Sequence, residues 1–105
     1  MKDDQQLLVS IKKTVEKVAP DATVILYGST ARGDDDQYSD IDILILVDRE
    51  KITAQDRIDI SYPLYDIEFD TGKLISPIVL TKSDWEKRHR ITPFYENVTR
   101  EGKII

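Results

Sequence analysis

Leu7, Leu8, Ile11, Val15 and Val18 recur at the spacing of one helical face, and Pro20 ends the run. This predicts an amphipathic helix over residues 5–18. Thr23 to Tyr27 (TVILY) is short, β-branched and apolar, and predicts a strand that stops at Gly28. Ser29 to Arg32 predict one helical turn. Gly33 to Ser39 predict a polar loop holding Asp34, Asp35 and Asp36. Ile41 to Val47 predict a second strand, apolar on both faces after Asp42 and therefore central, with cover on both sides.

Thr53 with Asp56 three residues on is a weak capping box. Ile58, Tyr62, Tyr65 and Phe69 then follow at helical spacing, with Pro63 expected to kink or split the helix and Gly72 to end it. The stretch DIEFD at 66–70 also alternates polar and apolar, so a strand competes there. The helical pattern spans more residues and is preferred. Leu74 to Leu80 predict a third strand, in which Pro77 implies an edge position or a bulge. Ser83 and Glu86 predict a capping box for a short helix around Trp85. Thr92–Pro93 is a helix start and Gly102 a stop, and the following KII is expected to add a short strand or to dock on a partner. The order α-β-β-α-β-α-α predicts an α/β (α+β) domain, with helices packed on a mixed sheet of three or four strands.

The 105 residues fit a single domain with a modest core and little material for a second substrate-binding lobe. A net charge of −5 argues against a general nucleic-acid-binding surface but is compatible with a nucleotide carried by Mg²⁺. The chain has no cysteine, hence neither disulfides nor a thiolate metal site. Its polar N-terminus and lack of a long apolar run make a soluble cytoplasmic protein, away from membranes, the expectation.

The chemistry concentrates in residues 28–42, GSTARGDDDQYSDID. Alternate strand residues share a face, so Asp40 and Asp42 lie on one side with Cα atoms ~6.6 Å apart at ~3.3 Å per residue. Two carboxylates facing a Gly-Ser turn suit a divalent metal on one side and phosphates on the other. Each residue also has a plainer reading. Gly28 could simply end the strand, or let backbone approach a phosphate. Ser29 could cap the turn or offer its hydroxyl and N–H to a phosphate oxygen. Arg32 could pair with the loop aspartates or contact a nucleotide. Asp40 could cap the loop. Asp34 to Asp36 read as a solvated loop, and His89, within WEKRHR, as an exposed helix-end residue. Trp85, Phe94 and Tyr95 read as core or interface aromatics rather than base-stacking platforms. Tyr27, Tyr62, Tyr65 and Ile104-Ile105 are candidate interface positions.

Gly28-Ser29, Ala31-Arg32-Gly33 and Ser39-Asp40-x-Asp42 leading into a strand resemble the signature of minimal nucleotidyltransferase domains of the DNA polymerase β superfamily. The element order extends the resemblance over most of the chain. It implies that Gly28, Ser29 and Arg32 bind the nucleotide and that Asp40 and Asp42 are the catalytic metal ligands. It further implies Mg²⁺, two ions in a fully active site, and ATP or another NTP as substrate. The implied role is transfer of AMP to a partner protein as the antitoxin of a HEPN toxin–antitoxin pair, and thus a hetero-oligomer. A third carboxylate is expected from a neighbouring strand. Ser76 occupies that position if residues 74–80 are the strand, and Asp66, Glu68 or Asp70 could supply it only if DIEFD were. The alternative is a nucleotidyltransferase-fold binding module, catalytically impaired, that neutralises its partner by contact alone.

Overall fold

The computed structural model describes residues 2–33, 40–87 and 90–105. The expected polar loop at 34–39 and His89 lie outside the described residues. Helix α1 (Lys2–Val18) buries Leu7, Ile11 and Val15, while Val18 is exposed and Ala19 takes the buried place at its end. Strand β1 (Ala22–Tyr27) leads into the single turn α2 (Gly28–Arg32). Strand β2 (Ile41–Val47) follows, then helices α3 (Ala54–Ser61) and α4 (Leu64–Thr71). Strand β3 (Ile75–Thr81), helices α5 (Lys82–Lys87) and α6 (Pro93–Glu101), and the two-residue strand β4 (Lys103–Ile104) complete the order.

The four strands form one mixed sheet in the order β3-β2-β1-β4. β2 is antiparallel to β1, from Ala22↔Val47 to Tyr27↔Asp42, and parallel to β3, from Ile41↔Ile75 to Val47↔Thr81. β4 pairs with β1 through Ile25↔Ile104, so the KII segment adds the expected short strand. β2 is central and its residues 43–47 are buried on both faces. On one face Ile41, Ile43, Ile45 and Val47 pack with Val24, Leu26 and Val79 against α1, Ile60 and Leu64. On the other, Leu44 and Leu46 pack with Ile25, Tyr27 and Leu80 against Trp85, Phe94, Tyr95 and Val98.

Local signals explain most boundaries. Thr53 and Asp56 form a full capping box at α3, with bonds of 3.1 and 3.0 Å. Pro63 splits the helical run as expected, and Tyr62 and Pro63 both keep right-handed helical backbone across the joint. Gly72 closes α4 with φ 73°, a left-handed conformation that favours glycine. The α5 cap differs from expectation. The buried Thr81 hydroxyl, not Ser83, accepts the Asp84 N–H at 3.0 Å, because the helix starts directly where β3 ends. Asp21 and Arg49 pair through two bonds of 2.9 and 3.0 Å, joining the turn before β1 to the one after β2. The Arg49 guanidinium lowers the Asp21 pKa; a half-exposed pair of this kind contributes about 0.2–1 kcal/mol.

The edge of β3 is blocked along its outer side. The Glu68 carboxylate accepts the Ile75 N–H at 2.8 Å, Pro77 has no N–H, and Arg57 Nε donates to the Val79 carbonyl at 3.2 Å.

The apolar stripe Ile58, Tyr62, Tyr65 and Phe69 is helical but faces solvent; the face packed on the core carries Ile60, Leu64 and Ile67. Leu64→Ala should therefore cost about 2–5 kcal/mol. Phe69→Ala should stay within about 0.5 kcal/mol, although it removes the larger side chain. Urea unfolding followed by circular dichroism separates the two, and equal losses would mean that the packed face is misassigned.

Candidate functional site

Helices α5 and α6 cover only part of their face of the sheet. Beyond Tyr27 and Phe94, β2 presents Asp42 on the same face as Leu44 and Leu46. Asp42 lies opposite Tyr27 on β1 and Ser76 on β3. Asp40, just before the strand, is exposed, and its Oδ2 accepts the Ser76 hydroxyl at 3.3 Å. Asp40, Asp42 and Ser76 thus gather at one end of the sheet.

The Gly-Ser turn meets this end directly. Gly28 has φ 76°, and a Cβ there would sit 2.6 Å from Asp42 Oδ2. The left-handed backbone favours glycine, and a Cβ there would also force the Asp42 carboxylate to move. The N-cap position of α2 is Tyr27, whose side chain makes no capping bond, and Ser29 lies inside the turn rather than at its cap. Thr30, which carries no role in the sequence reading, has a buried hydroxyl without a hydrogen-bond partner. Only its place beside Gly28-Ser29 could have signalled it.

The electrostatics follow from this packing. Burial raises the Asp42 pKa, the nearby Asp40 carboxylate raises it further, and Arg32 partly opposes both. Burial and then the Asp42 charge push the Tyr27 phenol up to about 12. Tyr27 therefore stands neutral against Asp42, its ring in edge contact with Phe94 at 5.3 Å between centroids. Tyr27, a candidate interface position in the sequence, lies across from Asp42 in the strand register. Arg32 reaches across to α6 and pairs with Glu101 at 3.1 Å, a partner 69 residues away that no local pattern reveals.

The strand register puts Ser76 where the third carboxylate is expected. DIEFD is helical, and the Glu68 carboxylate is engaged by the Ile75 N–H on the far edge of β3. Among the described residues no group of three or more acids, histidines or cysteines comes together. Asp34, Asp35, Asp36 and His89 lie outside the described residues. Trp85, Phe94 and Tyr95 pack on one another, Trp85 at 5.6 Å from Phe94 and 4.7 Å from Tyr95, as core aromatics.

Asp40 and Asp42 could hold a divalent cation. Their oxygens are hard ligands, and the mutual repulsion that raises the Asp42 pKa is what a cation relieves. Among the described residues Ser76 adds a neutral hydroxyl to these two carboxylates. The uncapped turn beside it could accept phosphate oxygens.

A family model described as a nucleotidyltransferase domain matches residues 8–102. The "Putative protein adenylyltransferase" of Methanocaldococcus jannaschii is 38% identical over 82 residues, covering 74% of this chain and 80% of that protein. A crystal structure of a toxin–antitoxin with AMP-PNP superposes with a TM-score of 0.63 at 21% identity, over 90% of this chain and 68% of that one. A "putative nucleotidyltransferase" from Sulfolobus solfataricus gives 0.61 at 24% identity, over 94% and 76%. The two structures establish the fold. Among the described residues no helix is long and apolar enough to cross a membrane.

The raised Asp42 pKa has a defined sign. The folded state holds the proton more tightly than the unfolded chain, so stability is lost as pH rises from 3.8 through the folded pKa. Asp42→Asn should therefore raise Tm at pH 7 in EDTA, and the gain should shrink as pH falls toward 3.8. A Tm drop at pH 7 would assign Asp42 a structural role instead. Gly28→Ala should cost about 1–3 kcal/mol in denaturant titrations from backbone strain alone.

Proposed function

The chain belongs to the nucleotidyltransferase domain family, and from that premise we propose that it transfers AMP from ATP to a hydroxyl of a partner protein, with Mg²⁺. The partner we propose is a HEPN-domain toxin, which the transfer silences. One observation carries the reading: the Gly28 backbone lies against the Asp42 carboxylate, so a phosphate on the turn and a cation on the acids would be neighbours. The name of the Methanocaldococcus jannaschii relative, a protein adenylyltransferase, supports protein as the acceptor. The toxin–antitoxin neighbour, crystallised with AMP-PNP, supports the setting.

In this reading Gly28 and Ser29 hold the triphosphate through backbone N–H groups and the Ser29 hydroxyl. Arg32, steadied by Glu101, faces the same end of the sheet with its positive charge. Asp40 and Asp42 would hold the cation, which when bound would neutralise phosphate charge and lower the pKa of the attacking hydroxyl. The acceptor oxygen attacks the α-phosphorus in line, the bond to the β-phosphate breaks, pyrophosphate departs with that bonding pair, and the hydroxyl proton passes to solvent water. Asp42 is partly desolvated beside Tyr27, and lower local dielectric would strengthen the hold of that carboxylate on a cation. The chain's contribution is chiefly positioning.

The Ser76 position favours a second reading. A hydroxyl stands in register with Asp42 and bonds to Asp40, where an acid would complete a two-ion site. On that reading the chain neutralises its partner by contact, and its acidic balance draws it to a basic surface.

Incubation with ATP, Mg²⁺ and a HEPN protein encoded beside this chain separates the two. Transfer predicts a mass gain of one adenylyl unit on the partner, lost in EDTA and in Asp42→Asn. An unmodified partner that is still silenced by Asp42→Asn would reject transfer in favour of contact. Ser76→Asp should raise the transfer rate if an acid is what the site lacks, measured as initial rate of adduct formation.

A further inference from the structure

Residues 54–71 carry apolar side chains on two opposite faces, yet the fold covers only one. Ile60, Leu64 and Ile67 pack inward. Ile58, Tyr62, Tyr65 and Phe69 are 53%, 65%, 58% and 90% exposed. A helix apolar on both sides is ordinarily buried on both. The exposed stripe is continuous across the α3–α4 joint, where the Tyr62 and Tyr65 rings meet edge to face at 5.8 Å. Its three aromatics alone offer on the order of 400 Å², the size of the largest apolar patch on a typical monomer, which is often functional.

The stripe also specifies the shape of what covers it. The intervals of four, three and four residues are those of a coiled-coil seam, with Ile58 and Tyr65 as d positions and Tyr62 and Phe69 as a positions. The positions that follow the d residues, which flank such a seam, are Asp59 and Asp66, both exposed. Exposed Asp70 extends that flank. Within residues 54–71 the sequence has one cation, Arg57, and its guanidinium is turned to the Val79 carbonyl.

We propose that this face docks a helix of a partner protein that carries an apolar a/d seam flanked by lysine or arginine. Seam spacing calls for a helix, and the flanking aspartates call for basic residues beside its seam. The surface lies on the helices that back the sheet, on the face opposite Asp42, so docking leaves the acidic end of the sheet open. The proposal stands independently of nucleotidyl transfer.

The probe is a fluorescent three-heptad peptide with Leu at a and d and Lys at e and g, whose lysines repel and keep it from pairing with itself. Titration with the full chain should give saturable anisotropy. Phe69→Ser, and separately Asp59→Lys with Asp66→Lys, should weaken binding by about ten-fold or more, as loss of a seam anchor or its flanking charges does. Circular dichroism and Tm should show these surface variants folded. A matched peptide with Glu at e and g should bind at least about ten-fold more weakly. No saturable binding, equal binding of the two peptides, or undiminished binding to Phe69→Ser overturns the proposal. So does concentration-dependent self-association of the chain that Phe69→Ser abolishes, because the occupant would then be a second copy. Asp42→Asn should bind the Lys peptide unchanged, which separates this result from any failure of transfer.

Discussion

Every layer of this fold answers one constraint: β2 must be buried on both faces. Residues 43–47 are apolar and almost wholly excluded from water. A strand of that kind needs neighbours on both edges and helices on both sides. β1 and β3 supply the edges; α1, α3 and α4 cover one face, and α5 and α6 the other. The second cover ends at Tyr27 and Phe94, which leaves the start of the strand open at Asp42. The candidate site is thus where the burial of β2 stops.

Asp42 stands at that border with its ionisation opposed by burial and by Asp40. Gly28 is fitted around its carboxylate, in a backbone conformation that other residues rarely adopt. Neither feature helps the chain fold, since one sacrifices electrostatic stability and the other the smaller backbone entropy cost of a residue with a Cβ. Unfavourable local terms held in place by a well-packed neighbourhood are common where chemistry or binding is done.

Most elements were legible because their signals are local. Helical spacing with a proline stop predicted α1, the capping box predicted α3, and Pro77 predicted the edge strand. The motif in residues 28–42 was legible too: Gly28 lies against Asp42, and Ser76 stands opposite it. Two features were hidden. The α3–α4 run carries two apolar stripes, and periodicity does not say which one meets the core; the larger, aromatic one faces water. Contacts between distant segments were equally silent: Glu101 on Arg32 depends on where α6 crosses the sheet, and Tyr27 beside Asp42 on the register of β1 with β2.

The blocked edge of β3 bears on how the molecule ages and assembles. Glu68, Pro77 and Arg57 occupy the main-chain positions from which an open sheet recruits another strand. The opposite margin is β4, only two residues long. A sheet closed in this way offers little template for fibril growth or strand exchange between copies. Side chains, rather than the common backbone, then decide what this surface recognises, and selectivity among similar partners is tunable by point substitution.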